Sequence, residues 1–275
     1  MTLKPRALIL DLFGDYLRYV DAEGRLSHLT ELLGAFDVAP PTVRVTLSRL
    51  RREGWFVTRR EGRETVYTLT PEMLGVLDEG RERIFTAPAD SWVGSWTMVI
   101  YQMTESERQE RNQLRKALAW HGFGPLTTST WLAPGDLRKE ARTLVDEWTD
   151  EQVDVLACTS EGLDHDRELA RRCWDLEELA REYEHFNDEH RHLTKGTRPA
   201  VGAGALVART ELISTYRHFP FRDPRLPPEL RPEPWPGVEA FDIFRAAHAG
   251  LGAAVRAYVG GVLGRDVPEP DPPLD

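Results

Sequence analysis

The sequence predicts an α+β protein made of three consecutive segments, and three observations predict it. The first 85 residues space their leucines and aromatics as helices and end in a basic helix followed by an alternating hairpin. Residues 91–160 interleave apolar strand-like runs with two polar helices. From Asp164 the chain returns to helical spacing, broken by one stretch dense in proline.

Within the first segment, residues 6–20 form an amphipathic helix that offers Leu8, Leu10, Leu12, Phe13, Tyr16, Leu17 and Val20 for burial. Ser27 is placed to cap a second helix running to about Phe36, with Leu29, Leu32 and Leu33 inward. Residues 35–39 make the turn into residues 40–54, PPTVRVTLSRLRREG, around which the chain is organised. Pro40 and Pro41 suit a first helical turn and Gly54 suits its end. Val43, Leu47 and Leu50 fall at i, i+4 and i+7 and make the inward stripe. The opposite side is read as Thr42, Thr46, Arg49 and Arg52, with Arg44 and Ser48 on its flanks. Guanidinium forks and hydroxyls are the groups that base edges and phosphates accept.

Residues 55–60 and 64–69 are β-prone runs joined at Glu61-Gly62-Arg63, a hairpin signal. A helix followed by a basic hairpin is the pattern of a winged helix-turn-helix, with the helix in a major groove and the wing on the backbone. Arginine-rich helices are also common as plain solvated faces, and charge decides between the two. Residues 40–70 carry seven arginines against three glutamates, +4 in a chain of net charge −10, so the rest sums to −14. A local positive patch on an acidic protein favours nucleic-acid contact. On this reading Arg59, Arg60 and Arg63 of the wing meet phosphates, while Trp55 anchors the wing rather than stacking on a base. Thr70-Pro71-Glu72 opens a further helix to about Phe85, a connector or dimer contact, which completes a DNA-binding segment at 1–86.

The loop at 86–91 marks a boundary. Beyond it come a strand at 96–103, a helix at 105–121, one or two strands at 125–133, a helix at 135–149 and a strand at 153–159. This β-α-β-(β)-α-β order predicts a ferredoxin-like middle domain over 91–160, its sheet covered by helices on one face. A helical C-terminal domain follows at 164–265, with helices from Asp164, from 198 to 219 and from 238 to 263. The prolines of RDPRLPPELRPEPWPG enforce an irregular crossing between the last two, and the acidic, proline-rich tail at 266–275 is expected to be disordered.

Composition bounds the function. With 41% apolar and 29% charged residues the chain is an ordinary globular protein. Cys158 and Cys173 are too few for a disulfide framework and read as inert thiols. Asp11, Asp15 and Arg18 interrupt the N-terminal apolar stretch, and no run reaches the ~20 apolar residues of a membrane span, so a cytoplasmic location is expected. No metal or cofactor is predicted. His185, His190 and His192 lack the spacing that stacks two imidazoles one turn apart and are read as a solvated face. Gly202 and Gly204 have no preceding strand, and no lysine and hydroxyl residue follow them where a phosphate loop requires.

The chain resembles the PaaX family, the bacterial transcriptional repressors of phenylacetic acid catabolism. The resemblance is carried by LFGDYLR, VRVTLSRLRREGWFVTRREGRETVYTLT, WVGSWTMVIY, LAWHGFGPLTTSTWLAP, RCWDLEELAREY and FRDPRLPPELRPEPWPG, spread over residues 6–263. It implies a winged helix-turn-helix, a middle domain like the Cas2 proteins and a helical C-terminal domain. It further implies a homodimer on operator DNA, released by an aryl-acetyl-CoA thioester such as phenylacetyl-CoA. Such an effector needs an apolar slot and cations for the CoA phosphates. Candidates are Trp131, Arg171, Arg172, Trp174, Tyr216, Arg217, Arg222 and Arg225, each weighed against core packing or an ion pair. The Cas2-like resemblance also raises a rival reading, a metal-dependent nuclease. That chemistry needs a carboxylate at the end of the first strand, where this chain has Tyr101 and Gln102, so no enzyme is predicted. Two further readings are a repressor answering to a different small molecule and a pure protein-interaction module.

Overall fold

The computed structural model describes residues 3–85, 91–103, 105–145, 153–194 and 200–269. The chain divides into two compact units, one of residues 1–86, 186–218 and 238–275, the other of residues 87–185 and 219–237. Residues of the C-terminal helical segment are thus shared between the two.

The first unit begins with α1 (Pro5–Asp15), a 3-10 turn at Leu17–Tyr19, β1 (Glu23–Arg25), α2 (Leu26–Gly34) and α3 (Pro40–Arg52). Then follow β2 (Phe56–Glu61), β3 (Glu64–Leu69) and α4 (Pro71–Phe85). The three strands form an antiparallel sheet in the order β1-β3-β2. Ser27 does not cap α2: the cap position is Arg25, without a side-chain bond, and Ser27 lies inside the helix. The short strand β1 explains the shift, because pairing with β3 fixes the chain up to Arg25. A working cap is found at Thr70, whose Oγ1 accepts from the Met73 N–H at 3.3 Å and donates to the Gly54 carbonyl at 2.9 Å.

Leu8, Ile9, Leu12 and Phe13 of α1, Leu29 and Leu32 of α2, and Val43, Leu47 and Leu50 of α3 are buried in one core with Phe56 of β2. This core continues into α9 (Ala203–Tyr216) and α10 (Pro236–Leu263) through Leu206, Leu251, Val255 and Val259.

The second unit carries β4 (Trp96–Tyr101), α5 (Arg108–Trp120), β5 (Gly124–Pro125), β6 (Thr130–Pro134), α6 (Arg138–Val145) and β7 (Val153–Cys158). Its sheet runs β5-β6-β4-β7 with every neighbour antiparallel, the ferredoxin-like arrangement in which two βαβ halves interlock. Strand alternation sends Val99, Tyr101, Trp131 and Ala133 toward Leu114 and Leu118 of α5 and Ala141 of α6. The expectation of one covered face is corrected, because the other face is covered too. Trp96 and Leu132 point the opposite way and pack with Ala170 and Cys173 of α7 (Leu163–Cys173), Leu176 of α8 (Leu176–His190), and Leu226 and Leu230 of the proline-rich stretch.

That stretch is held by polar bonds in place of regular structure. Arg167 Nε donates to the Glu229 carbonyl at 2.8 Å and the Trp92 N–H donates to Glu229 Oε2 at 3.1 Å, while the buried Asp166 carboxylate ties α7 to the start of the sheet by accepting from Trp96 Nε1 at 2.7 Å and Trp92 Nε1 at 3.0 Å. The two cysteines are unpaired, and burial pushes the Cys173 thiol up to about 12. The disorder expected of residues 266–275 does not hold for the first of them, since Val267 is buried in the first unit's core and Arg256 pairs with Glu269 at 3.0 Å, while residues 270–275 lie outside the described residues. Among the described residues no helix is long and apolar enough to cross a membrane.

Candidate nucleic-acid interface and effector cavity

The orientation of α3 follows from its buried stripe. Val43, Leu47 and Leu50 are fully buried, and Thr42, Arg44, Ser48, Arg49 and Arg52 are exposed. The outward face is therefore the one the sequence predicts, with two corrections. Thr46 sits on a flank, half-buried, and its hydroxyl donates back to the Thr42 carbonyl at 2.8 Å. Ser48 stands on the exposed face, and the central outward position belongs to Val45, which the sequence reading misses. A valine gives no polar signal; only the helical phase of the buried stripe marks it.

The arginines of α3 differ in freedom. Arg49 Nε donates to Glu53 Oε1 at 2.9 Å, and the same carboxylate takes Arg6. These two hydrogen-bonded guanidinium groups hold the Glu53 carboxyl below its usual range. Arg6 in turn lies 4.1 Å over the Trp55 ring, which packs against the core in the anchoring role expected of it. Arg44 and Arg52 make no ion pair among the described residues.

Glu61 pairs with Glu64 in the wing, leaving a two-residue loop, Gly62-Arg63. Gly62 has φ +61°, the positive value that the first position of such a loop demands. Arg59 bonds Glu23 at 2.7 Å and Glu61 at 3.3 Å, and Arg60 donates to Thr65 Oγ1 at 3.1 Å. Arg63, at the tip, makes no ion pair among the described residues.

Behind α1 lies a set of buried charges that no local spacing announces. Asp15 and His248 meet at 3.0 Å although 233 positions separate them, and Arg209 Nη2 lies 3.2 Å from His248 Nδ1. Arg209 Nη2 also lies 2.9 Å from His248 Nε2, so the guanidinium approaches both ring nitrogens, and burial lowers the pKa of His248. Burial would raise Asp15, but Arg209 and His248 outweigh it and hold the carboxyl well below its ordinary value. Asp11, 2.7 Å from Arg217, goes the other way: burial raises it to about 7 despite that partner.

The effector candidates separate. Trp131, Trp174 and Arg222 line one cavity of about 360 Å³ together with Phe123, Leu179 and Phe221. Gly124 makes room for its wall, since a Cβ there would lie 2.4 Å from the Trp174 ring. Trp131 is 4% exposed and its Nε1 is buried without a hydrogen-bond partner. Phe221 stacks on Trp120 at 4.7 Å, and Arg222 is held by Glu182. Arg171 and Arg172 are exposed on α7, and Arg225 bonds through its backbone N–H to Asp223. Tyr216 and Arg217 are corrected to structural roles in the other unit: Tyr216 stacks on Phe244 at 4.1 Å inside the core, and Arg217 serves Asp11. The histidine face is corrected in part. His185 is exposed, but His190 is buried against Phe186 with Nδ1 3.0 Å from its carbonyl oxygen. Among the described residues no three His, Cys, Asp or Glu side chains gather as a metal site. At the end of β4 the Tyr101 hydroxyl donates to the Thr128 carbonyl at 2.8 Å.

A winged helix with an outward basic helix, in a chain that also holds a ferredoxin-like sheet, defines the class of winged-helix regulators with an added α+β domain. The family comparisons narrow it. Residues 4–73 match the PaaX-like protein family, 89–170 the PaaX protein central Cas2-like domain, and 174–261 the PaaX-like protein C-terminal domain. The transcriptional repressor PaaX of Escherichia coli K12 is 30% identical over 268 residues, 92% of this chain and 82% of that one. The chain belongs to the PaaX family. The uncharacterized protein Rv0674 of Mycobacterium tuberculosis shares its fold, with a TM-score of 0.57 at 24% identity, covering 86% of this chain and 90% of that one.

Proposed function

We propose that this chain is a cytoplasmic transcriptional repressor that binds operator DNA as a homodimer and controls an aromatic or acyl-CoA catabolic operon. The observation that carries the reading is the outward face of α3, where Thr42, Arg44, Ser48, Arg49 and Arg52 stand exposed over a fully buried stripe. In this reading α3 enters the major groove and Arg59, Arg60 and Arg63 follow the backbone. One such helix reads few base pairs, whereas a two-fold pair doubles the contacts and sets half-sites ~10 bp or a multiple apart. The Escherichia coli relative named as a transcriptional repressor supports the same reading and a role without catalysis.

Release is assigned to an aryl-acetyl-CoA type thioester, phenylacetyl-CoA being the form the family resemblance implies. The cavity walled by Trp131, Trp174 and Phe221 supplies an apolar slot of suitable kind, with Arg222 as a cation for phosphate. The ligand must favour an arrangement whose recognition helices miss the operator spacing, because equal affinity for both arrangements shifts nothing.

Mobility shifts on the DNA upstream of the gene, over a range of salt, test the first part. Retardation that weakens steeply with salt and is reversed by phenylacetyl-CoA is expected. A monomer indifferent to that DNA at low ionic strength would overturn the repressor reading. Thermal shifts against a series of acyl-CoA thioesters test the second part, since a ligand in large excess over its Kd raises the melting point while non-binders leave it fixed.

A further inference from the structure

Val45 occupies the middle of the outward face of α3 and is 69% exposed. Successive helical residues turn by about 100°, so Val45 points nearly opposite the direction shared by Val43, Leu47 and Leu50. Ser48, Arg49 and Arg52 follow it at i+3, i+4 and i+7, and Thr42 precedes it at i−3. An exposed valine gains nothing from the core and lowers helix propensity, so local folding gives no reason for it at this position. Its polar neighbours can meet phosphates and base edges, whereas two methyl groups can meet only something apolar. The major groove offers one apolar group, the C5-methyl of thymine. A β-branched side chain is held largely in one rotamer within a helix, so ordering it on contact costs little.

We propose that Val45 determines sequence specificity by packing on a thymine methyl at one position of each half-site. The inference rests on the operator-binding reading, and the experiment separates the two. Each thymine of the half-site is replaced singly by 2′-deoxyuridine, which removes only the methyl group, and Kd is measured for wild type and Val45→Ala. One replacement is expected to weaken wild-type binding about 4-fold, the value of burying one methyl group. Val45→Ala should lose affinity for the thymine duplex and be insensitive to that same replacement. Val45→Ala should melt at or slightly above wild type, because the side chain stands outside the core and alanine is the better helix former. Uniform tolerance of uracil by wild type, or an equal penalty in Val45→Ala, would overturn the assignment while leaving operator binding intact. Failure of both proteins to bind the unsubstituted duplex would overturn operator binding, and this inference with it.

Discussion

Arg49 donates from Nε to Glu53 Oε1 across 2.9 Å, one turn further along the recognition helix, so this guanidinium is already engaged before any DNA arrives. Glu53 also holds Arg6, and Arg6 lies over Trp55. One carboxylate thereby couples the exposed face of α3 to the anchor of the wing. On the proposed reading Arg49 meets a base edge with its two Nη groups, which the Nε bond to Glu53 leaves free, whereas Arg44 and Arg52 make no ion pair among the described residues.

Even complete loss of the Nε bond is a small cost, because exposed i,i+4 pairs are worth about 0.3–0.5 kcal/mol. A bidentate contact to guanine is worth roughly 1–3 kcal/mol. Arg49→Ala is therefore expected to weaken operator binding by roughly 1–3 kcal/mol and to relax preference at one base position. Glu53→Gln should act oppositely on random duplex, tightening it by releasing two arginines from one carboxylate. Binding titrations on operator and random duplex read both effects, and wild-type affinity in Arg49→Ala would remove its assigned contact.

The wing makes a different prediction. Arg63 stands at the tip without an ion pair among the described residues, so Arg63→Ala should weaken every sequence alike and lower the log–log salt slope by about 1. Arg59 is tied to Glu23 and Glu61, and its removal also exposes two carboxylates to the phosphates. Arg59→Ala should thus lose more affinity than Arg63→Ala, most clearly at low salt. A sequence-selective loss in either variant would contradict a backbone role.

Gly124 tests the cavity. An added Cβ would lie 2.4 Å from the Trp174 ring, closer than packing allows, so Gly124→Ala must move that wall. Overpacking of this kind costs about 1–3 kcal/mol. The melting point should fall, and the stabilisation by phenylacetyl-CoA should shrink relative to wild type. Undiminished stabilisation in the variant would place the effector elsewhere.

The recognition helix is legible in the sequence because its inward stripe and its proline and glycine ends are all local signals. The hairpin is legible for the same reason, through alternation and Gly62. Val45 escapes a scan for polar chemistry, and Thr46 shifts to a flank once the phase of the full buried stripe is taken into account. The second covered face of the ferredoxin-like sheet is hidden by chain distance, since Leu226 and Leu230 reach Trp96 and Leu132 from far along the sequence. Distance also hides Asp15, Arg209 and His248, which look ordinary in their own helices. Trp131, Trp174 and Arg222 have the right chemistry for an effector, and the fold brings them to one cavity. Tyr216 and Arg217 have similar chemistry, but the core claims them.

Asp11 supplies a pH dependence whose sign is fixed by burial. The buried carboxyl titrates at about 7, against 3.8 as its ordinary value, even with Arg217 at 2.7 Å. The folded state therefore holds a proton that the unfolded chain releases between those values. The corresponding stability is complete below about pH 4 and is lost as the pH rises through 7, by about 4 kcal/mol at the limit. Asp15 has its pKa depressed, so its contribution is present above its ordinary value and fails only in strong acid. His248 and His190, lowered by burial, add stability with rising pH up to their ordinary value of 6.5. The difference between Asp11→Asn and wild type isolates Asp11 from these opposing slopes. Denaturant unfolding at pH 5 and pH 8 should show that difference moving in favour of Asp11→Asn as the pH rises. A difference that stays constant, or moves the other way, would mean that the Asp11 carboxyl is already ionised at pH 5.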